Sequence, residues 1–247
     1  RSALRTLAAS AAVLRFPGLA RAAGKATAFA LIGDRYHNSD YIRTGLGKTV
    51  SRNLDLSIDF CDEVKQLSAD HLNGYKLLII LRDGMTWPDG YPDESTNAGY
   101  LATGKPKLVS EPAVPPTPAK PAYWITPAQG KAVREFVSRG GSALFLHNVT
   151  YISPHNEDFR DVLGAVTEGH PPIRTFKVKV VNKEHPITRG VNDFVVTDEQ
   201  HFMKYEKDPK HLLLQSVNEE GQTYRSLGAS SAAGWAYDYG QGRVCYL

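Results

Sequence analysis

The sequence has few cysteines and no long apolar run. Its 247 residues include two cysteines, Cys61 and Cys245, so a disulfide-rich scaffold is excluded. Each cysteine lies in an apolar, strand-like run, which favours two separate buried thiols over a disulfide. No apolar run approaches the roughly 20 residues that a membrane span needs. With 42% hydrophobic and 22% charged residues, the composition is that of a globular, soluble protein.

Several signatures of well-known enzyme classes are missing. There is no GxGxxG after a strand, no GxxxxGKS/T, no HExxH and no CxxC, which argues against nucleotide binding, zincin chemistry and thioredoxin-like redox chemistry. The GxSxG elbow of the α/β hydrolases is also absent. A covalent acyl-enzyme mechanism is therefore not expected.

The first 24 residues contain no acidic side chain but four arginines, Arg1, Arg5, Arg15 and Arg21. A small-residue apolar run between the second and third arginines completes the pattern of an export leader, similar to a twin-arginine signal. We expect a periplasmic or secreted mature protein; an amphipathic helix of the folded domain is the alternative. Without these arginines the formal charge falls from +3 to −1, so no basic surface indicates nucleic-acid binding.

The clearest structural signal is a helix followed by a buried strand. Thr126 is a predicted N-cap with Pro127 at the first helical position and Gln129 at N3, and an apolar stripe leads to Gly140. The next run, Ala143 to Leu146, is apolar without alternation, which is typical of a strand covered on both faces. This is the return half of a βαβ unit, and ligands bind beyond the carboxyl ends of such strands.

The rest of the chain predicts one α/β domain over residues 25–247 with a mainly parallel sheet. Residues 26–32 and 76–81 have the pattern of buried strands, whereas the alternating run 54–61 is typical of an edge strand. Further strands are expected near 176–181, 194–197, 211–215, 235–238 and 243–247, and we expect the natural chain to continue beyond Leu247. A Pro-rich insertion at about 84–122 is either a lid or a passive excursion.

Polar residues follow several predicted strands and are expected to share one edge of the sheet. They are His37, Arg82, Asp83, His147, Asn148, Asp198, Glu199 and His201. Imidazoles and carboxylates suit acid/base catalysis or a divalent metal such as zinc, although a single strand-end histidine is commonly structural. The histidines at 71, 155, 170 and 211 lack this context and are interpreted as surface or packing residues. His185, in His185-Pro186, is interpreted as part of a structural turn.

Five segments together resemble the trehalose-utilisation (ThuA-like) family of the class I glutamine amidotransferase-like superfamily. They are residues 29–37, the tract from Gln129 to Asn148, HPITRG from His185, DEQHF from Asp198 and YGQGRVCYL from Tyr239. The resemblance implies a flavodoxin-like three-layer α/β sandwich without the amidotransferase cysteine, and a role in carbohydrate metabolism on glycosides or keto-sugars. It assigns His37, His147 and Glu199 to the pocket. His201 stands where the family often has tyrosine.

We therefore predict His147 as the central catalytic residue, with His37 and Glu199 as its partners. Asp34, Asn148, Arg82, Asp83, Trp87 and Asp198 are the predicted substrate-binding or supporting residues, and His37, His147, Glu199 and His201 are candidate ligands of a divalent metal such as zinc, with Asp198 as a candidate acceptor behind His147. The expected partner is a small carbohydrate, and self-association into a homo-oligomer is left open. The alternative is a non-catalytic carbohydrate-binding protein that stacks sugars on Trp87, Tyr91, Tyr100 and Trp124.

Overall fold

The structure is a computed structural model that describes residues 27–34, 36–54, 56–86 and 122–247. The predicted leader and most of the Pro-rich insertion, including Trp87, Tyr91 and Tyr100, lie outside the described residues. The export leader and the lid therefore stay predictions. Within the described residues, no helix is both long and apolar enough to cross a membrane.

Strands alternate with helices as far as Leu163, and the remaining elements up to Tyr246 are strands and one 3-10 turn. The helices are α1 (Ser39–Leu46), which continues into a π-helical turn (Gly47–Ser51), α2 (Ala69–Leu72), α3 (Pro127–Ser138) and α4 (Glu157–Leu163). The 3-10 turns are Val64–Gln66, His147–Tyr151, Ser153–His155 and Pro209–His211. The strands are β1 (Ala28–Ile32), β2 (Ile58–Cys61), β3 (Leu77–Leu81), β4 (Met85–Thr86), β5 (Ala122–Tyr123), β6 (Ser142–Phe145), β7 (Ala165–Gly169), β8 (Arg174–Val180), β9 (Phe194–Asp198), β10 (Phe202–Tyr205), β11 (Leu212–Val217), β12 (Ser230–Tyr239) and β13 (Gly242–Tyr246).

The main sheet has nine strands in the order β2-β1-β3-β6-β13-β12-β11-β8-β9. From β2 to β13 all neighbours are parallel, and from β13 to β9 all are antiparallel. The α/β fold with parallel core strands is confirmed, but the sheet is mixed rather than mainly parallel. Short connections such as the turn between β12 and β13 permit only antiparallel pairing, because a parallel pair needs a long crossover. Strand β2 lies at an edge, as its alternation predicted.

Helices cover both faces of the parallel half and so complete three layers. On one face, Val133 and Phe136 of α3 pack with the core around Phe29, Leu78 and Phe145. On the other face, Leu46 of α1 packs with Ala28, Ala30, Ile32 and Ile79. Full burial of such a side chain stabilises the fold by about 1.5–3 kcal/mol, which makes the parallel half a rigid platform for the loops at its carboxyl edge.

The predicted signals around α3 are confirmed. Thr126 and Gln129 form a capping box, with the Thr126 side chain accepting the Gln129 N–H and the Gln129 side chain accepting the Thr126 N–H. Gly140, at φ +109°, adopts a conformation that other residues avoid, and it turns the chain into β6. The cysteines Cys61 and Cys245 are free, as predicted, and both are half-buried.

Strands β7 and β10 form a separate antiparallel pair in which Phe202 faces Gly169. The residues just outside this pair, His170 and His201, are consequently brought side by side. Their rings stack with centroids 4.9 Å apart and an interplanar angle of 21°. The pair therefore delivers two imidazoles together.

Candidate active site

The three predicted catalytic side chains meet at the carboxyl edge of the parallel half. His37 follows β1 and His147 follows β6, and their Nε2 atoms lie 3.1 Å apart. Glu199, directly after β9, places its Oε2 atom 3.6 Å from the Nε2 of His147. The predicted shared edge of His37 and His147 is confirmed by this distance, whereas their catalytic roles stay predictions.

The carboxylate of Asp34 holds the His37 ring in place through its Nδ1 atom. The Nδ1 atom of His37 lies 2.8 and 3.0 Å from the two Asp34 oxygens. Asp34 also accepts the backbone N–H of Tyr36 and of Asp83, and the side-chain amide of Asn148 donates to it at 2.8 Å. Because the Asp34 side chain is fully buried, it supports His37 and is not available to contact substrate.

His147 adopts an unusual backbone conformation for a residue with a side chain. Its φ is +52°, a left-handed geometry that is uncommon outside glycine and that concentrates at functional sites. Two hydrogen bonds hold it: its N–H donates to the Leu247 carbonyl at 2.9 Å, and the Tyr246 hydroxyl donates to its carbonyl at 2.7 Å. The imidazole is thereby aimed at His37 and Glu199 by the backbone itself.

The interaction between Asp34 and His37 favours the charged form of both side chains. Burial disfavours the Asp34 carboxylate, but hydrogen bonds from His37 and Asn148 outweigh it and lower the pKa of Asp34. Burial likewise disfavours the charged His37, yet Asp34 raises the pKa of His37 overall. With Nδ1–H directed at Asp34, the Nε2 atom of His37 faces His147 and Glu199, which form a cluster with it, and can bind a proton or a cation.

Glu199 and His147 have opposite protonation tendencies. Burial disfavours ionisation of Glu199, but the hydrogen bond with His201 and the surrounding imidazoles lower the pKa of Glu199 to about 2. Burial and the neighbouring His201 and His37 lower the pKa of His147 to about 3. At neutral pH the cluster thus presents a carboxylate beside a neutral imidazole, which is the state in which both groups bind metals.

Asp83 differs from the other carboxylates of the site. Burial, together with the charge of Asp34, raises the pKa of Asp83 to about 6. Its Oδ1 atom accepts the Met85 N–H at 2.9 Å, and the residue lines a small cavity with His37 and Glu199. A carboxyl group that titrates near neutrality is suited to proton transfer.

Arg82 does not take the predicted substrate-binding position, and Asp198 does not take the predicted position behind His147. The Nη1 of Arg82 donates to the carbonyls of Gly33 and Asp62 at 2.7 and 2.8 Å, so the buried guanidinium braces two loops and does not line the pocket. Asp198 is exposed, and its side chain accepts the N–H of Glu199 at 2.8 Å, so the role of acceptor behind a histidine falls to Asp34.

The carbohydrate-binding alternative predicted that aromatic residues, among them Trp124, stack against sugars. Trp124 is buried, and its Nε1–H donates to the Asp83 carbonyl at 2.7 Å. Trp124 cannot offer a face to a sugar in this position. The other aromatic residues of this alternative lie outside the described ranges.

Two further imidazoles complete the cluster, and one of them was missed from the sequence. The Nε2 of His201 lies 3.2 Å and that of His170 lies 3.7 Å from the same Glu199 oxygen. His170 had been interpreted as a surface or packing residue; this interpretation is wrong, because the pairing of β7 with β10 brings it beside His201. The sequence did contain a signal: His170 follows Gly169 at the end of a short segment with the β-branched residues Val166 and Thr167, which is typical of a strand end.

Two cavities flank the cluster. The larger has a volume of about 670 Å³ and is walled by Phe176 and Phe194 of the antiparallel half and by Met203 of β10, with His37, His147, Glu199 and His201 at its polar end. The smaller, about 180 Å³, is lined by Asp83, Asn148, Tyr151 and His170 in addition to cluster residues. The larger volume lies in the range of small-molecule sites.

The spacing of the ligand atoms fits a metal ion. In tetrahedral zinc sites with Zn–N distances near 2.0–2.1 Å, neighbouring ligand atoms are about 3.3–3.4 Å apart. The Nε2 atoms of His37 and His147 and the Oε2 of Glu199 form one group with all atoms within 4.8 Å of one another. The sequence-predicted ligands His37, His147 and Glu199 can therefore reach a common ion with small side-chain adjustments.

Solved structures with the same fold define the class of protein. A ThuA-like protein from Bacteroides uniformis matches with a TM-score of 0.57 and 16% identity over 89% of this chain and 78% of the other. A ThuA-like protein from Parabacteroides merdae gives the same score and identity over 89% and 77%. A β-galactosidase from Halorubrum lacusprofundi matches with a TM-score of 0.52 and 12% identity over 90% of this chain but only 27% of the enzyme. These matches show the fold: the chain shares with the ThuA-like proteins an α/β fold with a mixed sheet and parallel core strands.

The family is shown by the sequence itself. The profile of ThuA, trehalose utilisation, matches residues 114–247, more than half of the chain. The chain belongs to this family. No curated protein matches the sequence.

Proposed function

We propose that this protein is a sugar-processing enzyme that acts on a glycoside or keto-sugar with the assistance of a divalent metal ion. The observation that carries the proposal is the group formed by His37, His147 and Glu199. It combines a carboxylate, a neutral imidazole and an imidazole oriented by a buried carboxylate at the mouth of a cavity. Membership of the trehalose-utilisation family supports a carbohydrate as the substrate class.

The chain's own residues favour metal assistance over acid/base chemistry by the histidines alone. His37 directs Nδ1 at Asp34 and His147 is neutral, so two Nε2 atoms face each other at 3.1 Å. In the free protein a proton between the two Nε2 atoms holds them at this distance, and a divalent cation bound by both would take its place. Zn²⁺ is a suitable ion because it prefers imidazole and carboxylate ligands, and when bound it would act as a Lewis acid on a sugar oxygen.

Proton transfer is assigned to Asp83. Its carboxyl lines the small cavity that His37 and Glu199 also line, and a pKa of about 6 lets it both accept and donate a proton near neutrality. Glu199 is less suited to this role, since its pKa of about 2 keeps it ionised. Asp83 thus exchanges the proton while the imidazoles and Glu199 bind.

The larger cavity provides the place for the substrate. Phe176 and Phe194 present aromatic rings there, and aromatic rings pack well against the C–H faces of sugars. Asp198 lies at the same cavity and can accept hydrogen bonds from hydroxyl groups. A sugar bound here would have its reacting end beside the cluster.

The first experiment separates catalysis from binding. The purified protein, loaded with Zn²⁺, is incubated with a panel of disaccharides and their oxidised keto forms. We expect turnover of at least one compound, its loss on chelation and its recovery on adding Zn²⁺ back. Binding without turnover across the panel would support the non-catalytic carbohydrate-binding alternative instead.

A substitution at His147 tests the cluster directly. Asparagine tolerates positive φ better than alanine does, so His147→Asn removes the imidazole with little backbone cost. We expect turnover to fall by a hundredfold or more. His211→Asn, in the 3-10 turn Pro209–His211 and outside the cluster, is the control and should leave turnover unchanged. Equal activities in the two variants would refute the assignment.

A further inference from the structure

Glu199 belongs to a second group of potential ligands. The Nε2 atoms of His170 and His201 and a Glu199 oxygen all lie within 4.8 Å of one another. The individual distances from Oε2 are 3.7 Å to His170 and 3.2 Å to His201, again close to the ligand spacing of about 3.3–3.4 Å in a zinc site. The same carboxylate is therefore shared by two groups of three ligands.

His170 is prepared for binding in the same way as His37. Its Nδ1 lies 2.9 Å from the Pro171 carbonyl, an acceptor that fixes the N–H on this nitrogen. The Nε2 atom then turns its lone pair towards the Glu199 carboxylate. A backbone carbonyl behind a metal-binding histidine is a usual supporting contact, and the Nε2 lone pair beside the Glu199 carboxylate can bind a proton or a metal ion.

One ion cannot use all five side chains at once in the observed arrangement. Ligands bound to a single ion at about 2.1 Å lie at most roughly 4.2 Å from one another, and the donor atoms instead divide into two groups that share only Glu199. In enzymes with two metal ions, the ions are about 3.5–4 Å apart. A carboxylate between the two groups is in the position of a bridging ligand.

We propose that the protein binds a second divalent cation of the zinc type at His170, Glu199 and His201, with Glu199 bridging it to the first. The inference rests on the proposed function only for the first ion. The Nδ1 of the buried His201 has no hydrogen-bond partner among the described residues, whereas the first group has Asp34 behind His37. The second position should accordingly bind Zn²⁺ more weakly than the first.

The test is a Zn²⁺ titration of the full chain after removal of metals with a chelator. Calorimetry and elemental analysis should give two equivalents for the parent protein, one tighter than the other. His170→Ala should bind one equivalent with the tighter affinity retained, and His37→Ala should also bind one, with the weaker affinity. His211→Ala, a half-buried histidine outside the cluster, should keep two. Circular dichroism confirms that each variant is folded.

The possible outcomes separate the two proposals. A parent that binds one equivalent, unaffected by His170→Ala, overturns the second position and leaves the first intact. A single equivalent that both His37→Ala and His170→Ala abolish overturns it as well, in favour of one shared ion. A parent that binds no Zn²⁺ overturns both the second position and the metal-assisted function.

Discussion

The parallel and antiparallel halves of the main sheet contribute to the site in different ways. The parallel half has buried strands with helices on both faces, and its loops deliver Asp34, His37, Asp83 and His147. The antiparallel half ends in β9, four of whose five residues are exposed, and it delivers Glu199. The rigid half thus positions His37 and His147, and the more exposed half brings the carboxylate of Glu199 to them.

This difference between the halves explains why His37 and His147 have more supporting contacts from the rest of the fold than Glu199 has. His37 rests on a fully buried carboxylate and His147 is held by Tyr246 and Leu247. Glu199, by contrast, is held through its backbone by Asp198 and through its side chain by the imidazoles themselves. The position of the Glu199 side chain therefore depends on its contacts with the imidazoles. A bound cation would add a contact that fixes this side chain, which the exposed strand β9 does not provide.

The largest effect is expected where the two halves meet. Glu199→Gln preserves the size of the side chain but removes the charge, so binding of Zn²⁺ should weaken by more than a hundredfold, beyond the 10–100-fold typical of supporting residues. Asp198→Asn is the control, because the adjacent exposed side chain can still accept the Glu199 N–H. Parental Zn²⁺ affinity in Glu199→Gln would show that the halves are not linked through this carboxylate.

The same substitution placed in each half should have unequal costs. Val244 in β13 is 1% exposed and Val195 in β9 is 62% exposed. Val244→Ala removes two buried carbons and leaves a cavity, which should lower the free energy of unfolding by about 2–3 kcal/mol. Val195→Ala should change it by less than about 0.5 kcal/mol. Urea denaturation followed by circular dichroism measures both, and equal losses would contradict the contrast between the halves.

The raised pKa of Asp83, in the parallel half, makes the stability of the fold depend on pH. The pKa of Asp83 in the folded protein, about 6, exceeds the ordinary value of 3.8, so between these values the folded state retains a proton that the unfolded state has released. The contribution of Asp83 to the free energy of unfolding should therefore fall by up to about 3 kcal/mol as pH rises from 4 to 6, while the lowered pKa of His147 makes a contribution of the opposite sign. Asp83→Asn, which keeps an acceptor for the Met85 N–H, should remove this contribution, so the difference in the free energy of unfolding between variant and parent isolates it.

The measurement is chemical denaturation of the chelated protein at pH 4 and pH 7. Asp83→Asn should be more stable than the parent at pH 7, with little difference at pH 4, even though turnover is lost. Asp62→Asn, an exposed carboxylate after β2, serves as the reference. A destabilised Asp83→Asn at pH 7 would mean that the charged form is favoured by the fold.

The smallest effects concern threonines in the two halves. Thr126 caps α3, and its replacement by alanine should cost about 1 kcal/mol. Thr175 is hydrogen-bonded to Thr197 across exposed strands at 2.8 Å, a contact worth about 0.2–1 kcal/mol. Thermal unfolding should thus show a larger decrease in Tm for Thr126→Ala than for Thr175→Ala, and the reverse order would count against a more rigid parallel half.

The sequence alone predicted the elements whose signals are local. The capping box at Thr126, the glycine stop at Gly140 and the strand β6 depend on neighbours within a few residues, and all three are found. Strand β6 is less covered than its apolar run predicted, because Leu144 is half-buried. The polar residues at strand ends were also recognisable, because a chain leaving a buried strand must expose or pair its polar groups. Family motifs added His37, His147 and Glu199 as pocket residues.

The tertiary structure decided which of these side chains meet and in which direction they point. Arg82 turned inward to two carbonyls, Asp34 became buried beneath His37, and His170 joined the cluster through the pairing of β7 with β10. His37 and His147 are 110 residues apart in the chain yet 3.1 Å apart in space. Local patterns predicted a shared edge of the sheet for these two residues, but which atoms approach each other depends on packing between distant segments.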